Sequence, residues 1–299
     1  GRPGTVLDVD GSILLIEAAL NSLTNRTVDL PLQRTEPPRP AFQNLEILLK
    51  QTLEVAEFDG LTGIYLLDLQ TQQELHFAVR DGEDVPVQPD IAFTASSLMK
   101  MPIMVSAIGR MGDNPDSETL KLLQDMIELS GNEAADWLMN RVVDPDRGPL
   151  LVTEDMRSLG LENTFMAGYF SFGSPLLAII ETPANQRQDV FTDPDPYSQT
   201  TPSDMGMLLE DIYQCSQTGG GALPAVFPGE IDQDDCLKMN TLLINNRLPM
   251  LLTAGLPEGT PIAHKHGLVA VNGIINTIGD AGIIYSPGGN YILVVFLHH

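Results

Sequence analysis

The sequence predicts an α+β fold: an antiparallel β-sheet flanked by helices, with an all-helical lobe inserted between its strands. Three observations lead there. Strand-like segments separated by turn residues cluster at both ends of residues 41–299. The stretch 97–161 carries helical periodicity almost throughout. The last apolar segment, 291–297, is apolar on both faces, as a central strand covered on both sides must be.

Residues 1–40 read as a separate block, and 41–299 as the catalytic unit. In the first block, 6–9 and 27–30 read as strands around a helix at 13–22, which Ser12 can cap. Glu36-Pro37-Pro38-Arg39-Pro40 stiffens the chain into a polyproline-like linker. In the second block, Leu45, Leu48, Leu49 and Leu53 give 42–56 the stripe of an amphipathic helix. Segments 63–69 and 74–79 form a hairpin around a polar turn. A helix runs over 97–110, with Pro102 near its start, and another over 133–143. Residues 170–200 hold little periodicity and many prolines, and read as a long functional loop. Thr201-Pro202 opens a helix over 203–215, and Asp232 can cap one over 232–246. Strands at 262–266, 274–285 and 291–297 complete the sheet, the last following the turn Pro287-Gly288-Gly289-Asn290.

Composition removes several function classes. The chain has 299 residues, 43% hydrophobic, enough for a sizeable core. Its net charge of −24 and the lack of a basic stripe exclude a nucleic-acid partner. No apolar run reaches the ~18 residues that a membrane span requires. Five histidines are present, but His264 and His266 share a strand face without a third ligand, so no metal and no cofactor is expected. The two cysteines, Cys215 and Cys236, are either separate buried thiols or one disulfide around Gly219-Gly220-Gly221. No signal peptide is visible, and the chain reads as lacking an export or anchor segment.

The chemistry concentrates in three polar motifs. Ser97-Leu98-Met99-Lys100 opens an apolar helix. One helical turn separates hydroxyl and amine, which places them on one face. A lysine entering an apolar helix loses affinity for its proton, and a neutral amine can then take the proton of the serine. Ser96 competes as nucleophile, but only Ser97 has the lysine at i+3. Ser130-Gly131-Asn132 follows at a helix boundary, where a plain capping role is the competing reading. Lys265-His266-Gly267 lies on a strand, where glycine lets a substrate backbone approach.

These motifs, in this order, resemble those of the penicillin-recognising serine enzymes: class A β-lactamases and their penicillin-binding relatives. The resemblance spans about 41–299. It implies a β-lactamase/transpeptidase-like fold with the site in the seam between sheet and helical lobe. It implies Ser97 as nucleophile, Lys100 as its base, Ser130 as proton relay, and Asn132 as orienter of the substrate amide. Lys265 would attract the substrate carboxylate, and His266, where the family has threonine or serine, would hydrogen-bond it and titrate near neutral pH. Backbone N–H groups of Ser97 and of Leu268, the residue after Gly267, would form the oxyanion hole. Residues 1–40 resemble, more weakly, the tail of a peptidoglycan-binding module.

Three departures shape the functional expectation. The segment between Ser97 and Ser130 is short, which implies an open cleft. The deacylating glutamate of class A enzymes has only a partial counterpart, Glu181, in Glu181-Thr182-Pro183-Ala184-Asn185, with Asp193 and Asp195 as weaker candidates. The family's C-terminal helix has no counterpart after 297. The expected function is a serine hydrolase acylated on Ser97 by β-lactams, with slow deacylation. The alternatives are a D-Ala-D-Ala peptidase (a penicillin-binding protein) and a non-catalytic cell-wall binding or sensor domain. The expected partners are a β-lactam or D-Ala-D-Ala-type peptide and peptidoglycan, at an extracytoplasmic location: periplasmic, secreted or cell-surface.

Overall fold

The computed structural model describes residues 4–22, 27–35, 41–112 and 114–299. The chain divides into two units, Gly1–Leu49 and Lys50–His299. In the first, β1 (Gly4–Leu7) leads into α1 (Val9–Leu20) and pairs antiparallel with β2 (Leu32–Thr35). Two expectations are corrected here. Asp8, not Ser12, caps α1: its carboxylate accepts the Gly11 N–H at 2.9 Å, while Ser12 lies buried within the helix. The expected strand at 27–30 is irregular chain. The Asp8 N–H donates to the Pro31 carbonyl at 2.9 Å, which fixes the register so that pairing begins after Pro31. The proline-rich linker 36–40 lies outside the described residues.

Helix α2 (Phe42–Val55) spans the division between the units. Next come β3 (Leu61–Asp68), β4 (Glu74–Arg80), β5 (Glu83–Val85) and β6 (Phe93–Thr94). A 3₁₀ turn, Ser96–Met99, opens the helical lobe: α3 (Lys100–Met111), α4 (Ser117–Glu128), α5 (Asn132–Leu138) and α6 (Gly148–Ser158). Short strands β7 (Phe165–Met166) and β8 (Ser198–Thr200) bracket the long loop. The chain then runs through α7 (Pro202–Thr218), α8 (Ala222–Val226), α9 (Gln233–Ile244) and α10 (Leu252–Gly255). It ends in β9 (Ile262–Val271), β10 (Ile274–Ser286) and β11 (Gly289–His298). Strands from both ends interleave in one antiparallel sheet of order β5-β4-β3-β11-β10-β9.

Packing explains why the lobe sits where it does. Residues Lys100–Ile108 of α3 are all buried, so this helix is the axis of the lobe rather than a surface helix. Helix α7 lies so close to β3 that a Cβ on Gly206 would stand 2.2 Å from the Tyr65 ring. Strand β11 is central, as expected, but only one of its faces is packed away. Ile292, Val294 and Phe296 are buried, whereas Leu293, Val295 and Leu297 are half-buried and line an apolar groove of about 420 Å³ with Leu252 and Ile278. Among the described residues no helix is long and apolar enough to cross a membrane.

Cys215 of α7 and Cys236 of α9 form a disulfide, with Cα atoms 5.8 Å apart. Closing a loop of this length stabilises a fold by about 3 kcal/mol in the chain-entropy model. Cys215→Ala/Cys236→Ala is accordingly expected to lower unfolding free energy by roughly that amount, checked by urea denaturation. An unchanged denaturation midpoint would contradict it.

The loop 167–197 is irregular but tied down. The Tyr197 hydroxyl donates to the Ser174 carbonyl at 2.9 Å, and the Ala167 N–H to the Tyr197 carbonyl at 2.8 Å. Asp204, at the start of α7, accepts from the Asn163 N–H and the Thr164 hydroxyl, at 2.9 and 2.8 Å. These bonds hold the loop against the mouth of the helical lobe.

Candidate active site

Ser97 sits in the 3₁₀ turn, one residue after Ser96, whose φ of +48° places it in the left-handed region. Such strain in a non-glycine residue persists only where its surroundings hold it, and it clusters at functional sites. The Ser96 hydroxyl donates to the Leu268 carbonyl at 2.9 Å and is thereby engaged. Ser97 is free to point at Lys100, whose Nζ lies 2.7 Å from its Oγ. The competition between the two serines is settled by these contacts.

Lys100 is fully buried at the first position of α3. Its Nζ donates to the Ser130 carbonyl at 2.8 Å and to Asn132 Oδ1 at 2.6 Å. Both partners are acceptors only. A neutral amine has two N–H donors, so these acceptors use both and leave the lone pair aimed at the Ser97 hydroxyl. Burial first, and then the charge of Lys265, push the Lys100 pKa down to about 7, against the opposing pull of Asp136. The amine is therefore largely unprotonated just above neutrality, as the base for Ser97 must be.

Ser130 and Asn132 do not act as helix caps. Gly131 occupies the cap position of α5 and makes no side-chain capping bond. Ser130 has φ +58°, and its Oγ lies 3.3 Å from Lys100 Nζ. The turn is held from below: buried Glu128 pairs with the Arg247 guanidinium at 3.0 Å, and the adjacent Asn246 amide donates to the His264 carbonyl at 3.0 Å. One segment after α9 thus ties the Ser130 turn to β9.

Strand β9 is an edge of the sheet and forms the opposite wall. A Cβ on Gly267 would stand 2.9 Å from the Ser97 backbone nitrogen, so only glycine allows β9 to approach the nucleophile this closely. Ser97, Ser130, Asn132, His266, Gly267 and Leu268 line one common pocket. Lys265 does not line it. Its side chain is fully buried, its Nζ donates to the His266 carbonyl at 2.8 Å, and burial pushes its pKa down to about 8 against the pull of Asp280. His266 departs from expectation: burial and then the Lys265 charge push its pKa down to about 4. It is neutral across physiological pH and does not titrate near 7.

The structure does not bring Glu181 to this pocket. Glu181 is exposed on the loop and is absent from the residues lining the Ser97 cleft. Asn185, its motif partner, accepts the Thr182 N–H at 2.9 Å and donates to the Ile180 carbonyl at 3.0 Å, which is a turn. Asp195 does line the cleft, with Oδ1 accepting the Tyr197 N–H at 2.8 Å, and Asp193 does not. The position over the Lys100 amine belongs to a residue that sequence reasoning missed. The Phe170 ring centroid lies 4.9 Å from Lys100 Nζ. Asp136 holds it there, with its two carboxylate oxygens accepting the N–H groups of Phe170 and Ser171, each at 2.8 Å. The spacing of Asp136 from Asn132, one helical turn, was the available signal. Phe170 lies in irregular chain and gave none.

A pH profile follows. Below about 7, where Lys100 protonates, acylation is expected to slow by about tenfold per pH unit; above it, the rate should level off. The low pKa of His266 adds no second inflection above pH 5 or so. Stopped-flow acylation rates from pH 5 to 9 check this, and a rate flat through neutrality would contradict it.

A serine whose proton is drawn by a buried lysine, with a Ser-Gly-Asn turn on one side and a Lys-His-Gly edge strand on the other, defines the penicillin-recognising class of serine hydrolases. The profile of the beta-lactamase enzyme family matches residues 108–299, nearly two-thirds of the chain, and the chain belongs to that family. The match begins after Ser97 and Lys100, so those two residues are placed by geometry alone. PBP-A is similar over 89% of this chain and 91% of its own, at 20% identity and a TM-score of 0.60. The TLA-3 extended-spectrum beta-lactamase is similar over 86% and 90%, at 16% identity and 0.59. A beta-lactamase from Sphaerobacter thermophilus is similar over 86% and 89%, at 15% identity and 0.59. At these identities the likeness is one of fold. No curated protein sequence matches the chain.

Proposed function

We propose that this protein is acylated on Ser97 by β-lactams and releases the acyl group slowly. The observation that carries the reading is the Lys100 amine, held by two acceptors with its lone pair toward Ser97. Acyl transfer moves the Ser97 proton to Lys100 as Oγ attacks the lactam carbonyl. The ring C–N bond then breaks, and its nitrogen takes a proton through Ser130. Backbone N–H groups of Ser97 and Leu268 receive the developing oxyanion. Slow release is supported by the Phe170 ring, which occupies the side of Lys100 where a water-activating carboxylate would act, and by the exposed position of Glu181. PBP-A, one of the similar folds, is described as an acyl-enzyme complex with penicillin G.

A second reading, a D-Ala-D-Ala peptidase, is favoured by the open edge of β9, which can pair with a peptide backbone. The disulfide supports an oxidising, extracytoplasmic location. Steady-state turnover of a chromogenic cephalosporin and of a D-Ala-D-Ala peptide tests the proposal. Slow cephalosporin turnover after a stoichiometric burst is expected. Rapid, sustained hydrolysis would overturn slow release, and efficient peptide cleavage would favour the second reading.

A further inference from the structure

We infer that the cleft selects substrates whose acyl side chain carries an ammonium group, with Glu133 and Trp137 as the residues that determine the preference. This rests on the acylation reading above. At one end of the site, His266 and Gly267 with buried Lys265 behind them form the electropositive place for a substrate carboxylate. From Ser97 the cleft, about 650 Å³, runs the other way, between 268–270 of β9 and 168–174 of the loop. There it meets a second groove of about 370 Å³, with Tyr169, Ser171 and Ser174 common to both walls. An acyl side chain leaving the carbonyl at Ser97 is directed along this path.

The groove is floored by one helix face. Glu133, Asp136, Trp137 and Asn140 follow the i, i+3, i+4, i+7 spacing that stacks side chains on one side. Trp137 is 52% exposed and offers its ring to the groove. Glu133 is exposed and makes no ion pair among the described residues. Asp195 adds a third carboxylate on the cleft wall, and no lysine or arginine lines either cavity. Carboxylates beside an aromatic face are the chemistry that holds an alkylammonium group, by charge and by cation–π attraction. The same lining repels a carboxylate.

Three penicillins with one nucleus test this. Benzylpenicillin, ampicillin and carbenicillin carry hydrogen, an amine and a carboxylate on the same side-chain carbon. Second-order acylation rates, measured on the whole chain at neutral pH and low salt, should rank ampicillin above benzylpenicillin above carbenicillin. The two extremes should differ by roughly tenfold, and added salt should shrink the gap. Glu133→Gln combined with Trp137→Ala should narrow the ampicillin-to-carbenicillin ratio to within about threefold. Equal rates for all three, a reversed order, or a ratio untouched by the double substitution would overturn the inference while leaving acylation at Ser97 standing. Failure of all three to form an adduct would overturn the acylation reading and the inference with it.

Discussion

Replacing Lys100 by methionine is expected to slow β-lactam acylation by about 10²–10⁴-fold, the usual contribution of a general base. The substitution keeps the volume of the buried stem but removes the lone pair that faces Ser97 Oγ at 2.7 Å. It also leaves the Ser130 carbonyl and Asn132 Oδ1 without their donor. A thermal melt run alongside separates loss of the base from loss of the fold. Acylation within threefold or so of the wild-type rate in a folded variant would show that another group takes the proton.

Phe170→Glu is expected to speed deacylation by a similar factor, about 10²–10⁴. The new carboxylate would replace the ring that covers Lys100 Nζ at 4.9 Å, on a backbone already fixed by Asp136. From there it can draw a proton from a water beside the acyl carbonyl, and the adduct lifetime should fall accordingly. The same change places a negative charge beside Lys100, which raises that amine's proton affinity and shifts the acylation profile to higher pH. An adduct as long-lived as in the parent chain would show that the ring does not limit release.

The fold was legible where periodicity and turn chemistry agreed. The β3–β4 hairpin, the helical lobe and the three C-terminal strands lie close to their expected places, because alternation and helical stripes are set by burial on one side. Strand β9 runs to Val271, beyond the expected end at 266, because pairing with β10 carries it past a bulge at Ile275/Thr277. Errors arose where two residues competed for one role. Asp8 and Ser12 are both good caps, and only the reach of Asp8 to the Gly11 N–H decides between them. The polar strand Leu32–Thr35 carries no alternation, and its pairing with β1 is what makes it a strand.

The candidate site was legible in part for a similar reason. Ser97 with Lys100, Ser130 with Asn132, and His266 with Gly267 are short-range patterns whose residue types are dictated by chemistry. Three-dimensional structure was needed to bring them to one pocket. Phe170 belongs to a loop in which position comes from distant anchors, Asp136 above all, and no local pattern could point to it. Glu181 illustrates the converse: the spacing to Asn185 looked catalytic, and the bonds it reflects are those of a turn.

Intact-mass measurement after mixing with benzylpenicillin, followed by peptide mapping, tests the central claim most directly. The account predicts a stoichiometric gain of one penicillin mass that persists long after excess drug is removed. It places that mass on the peptide containing Ser97, and it predicts no gain in Ser97→Ala. An unlabelled wild-type chain, or a Ser97→Ala chain that labels as fast as wild type, would contradict it.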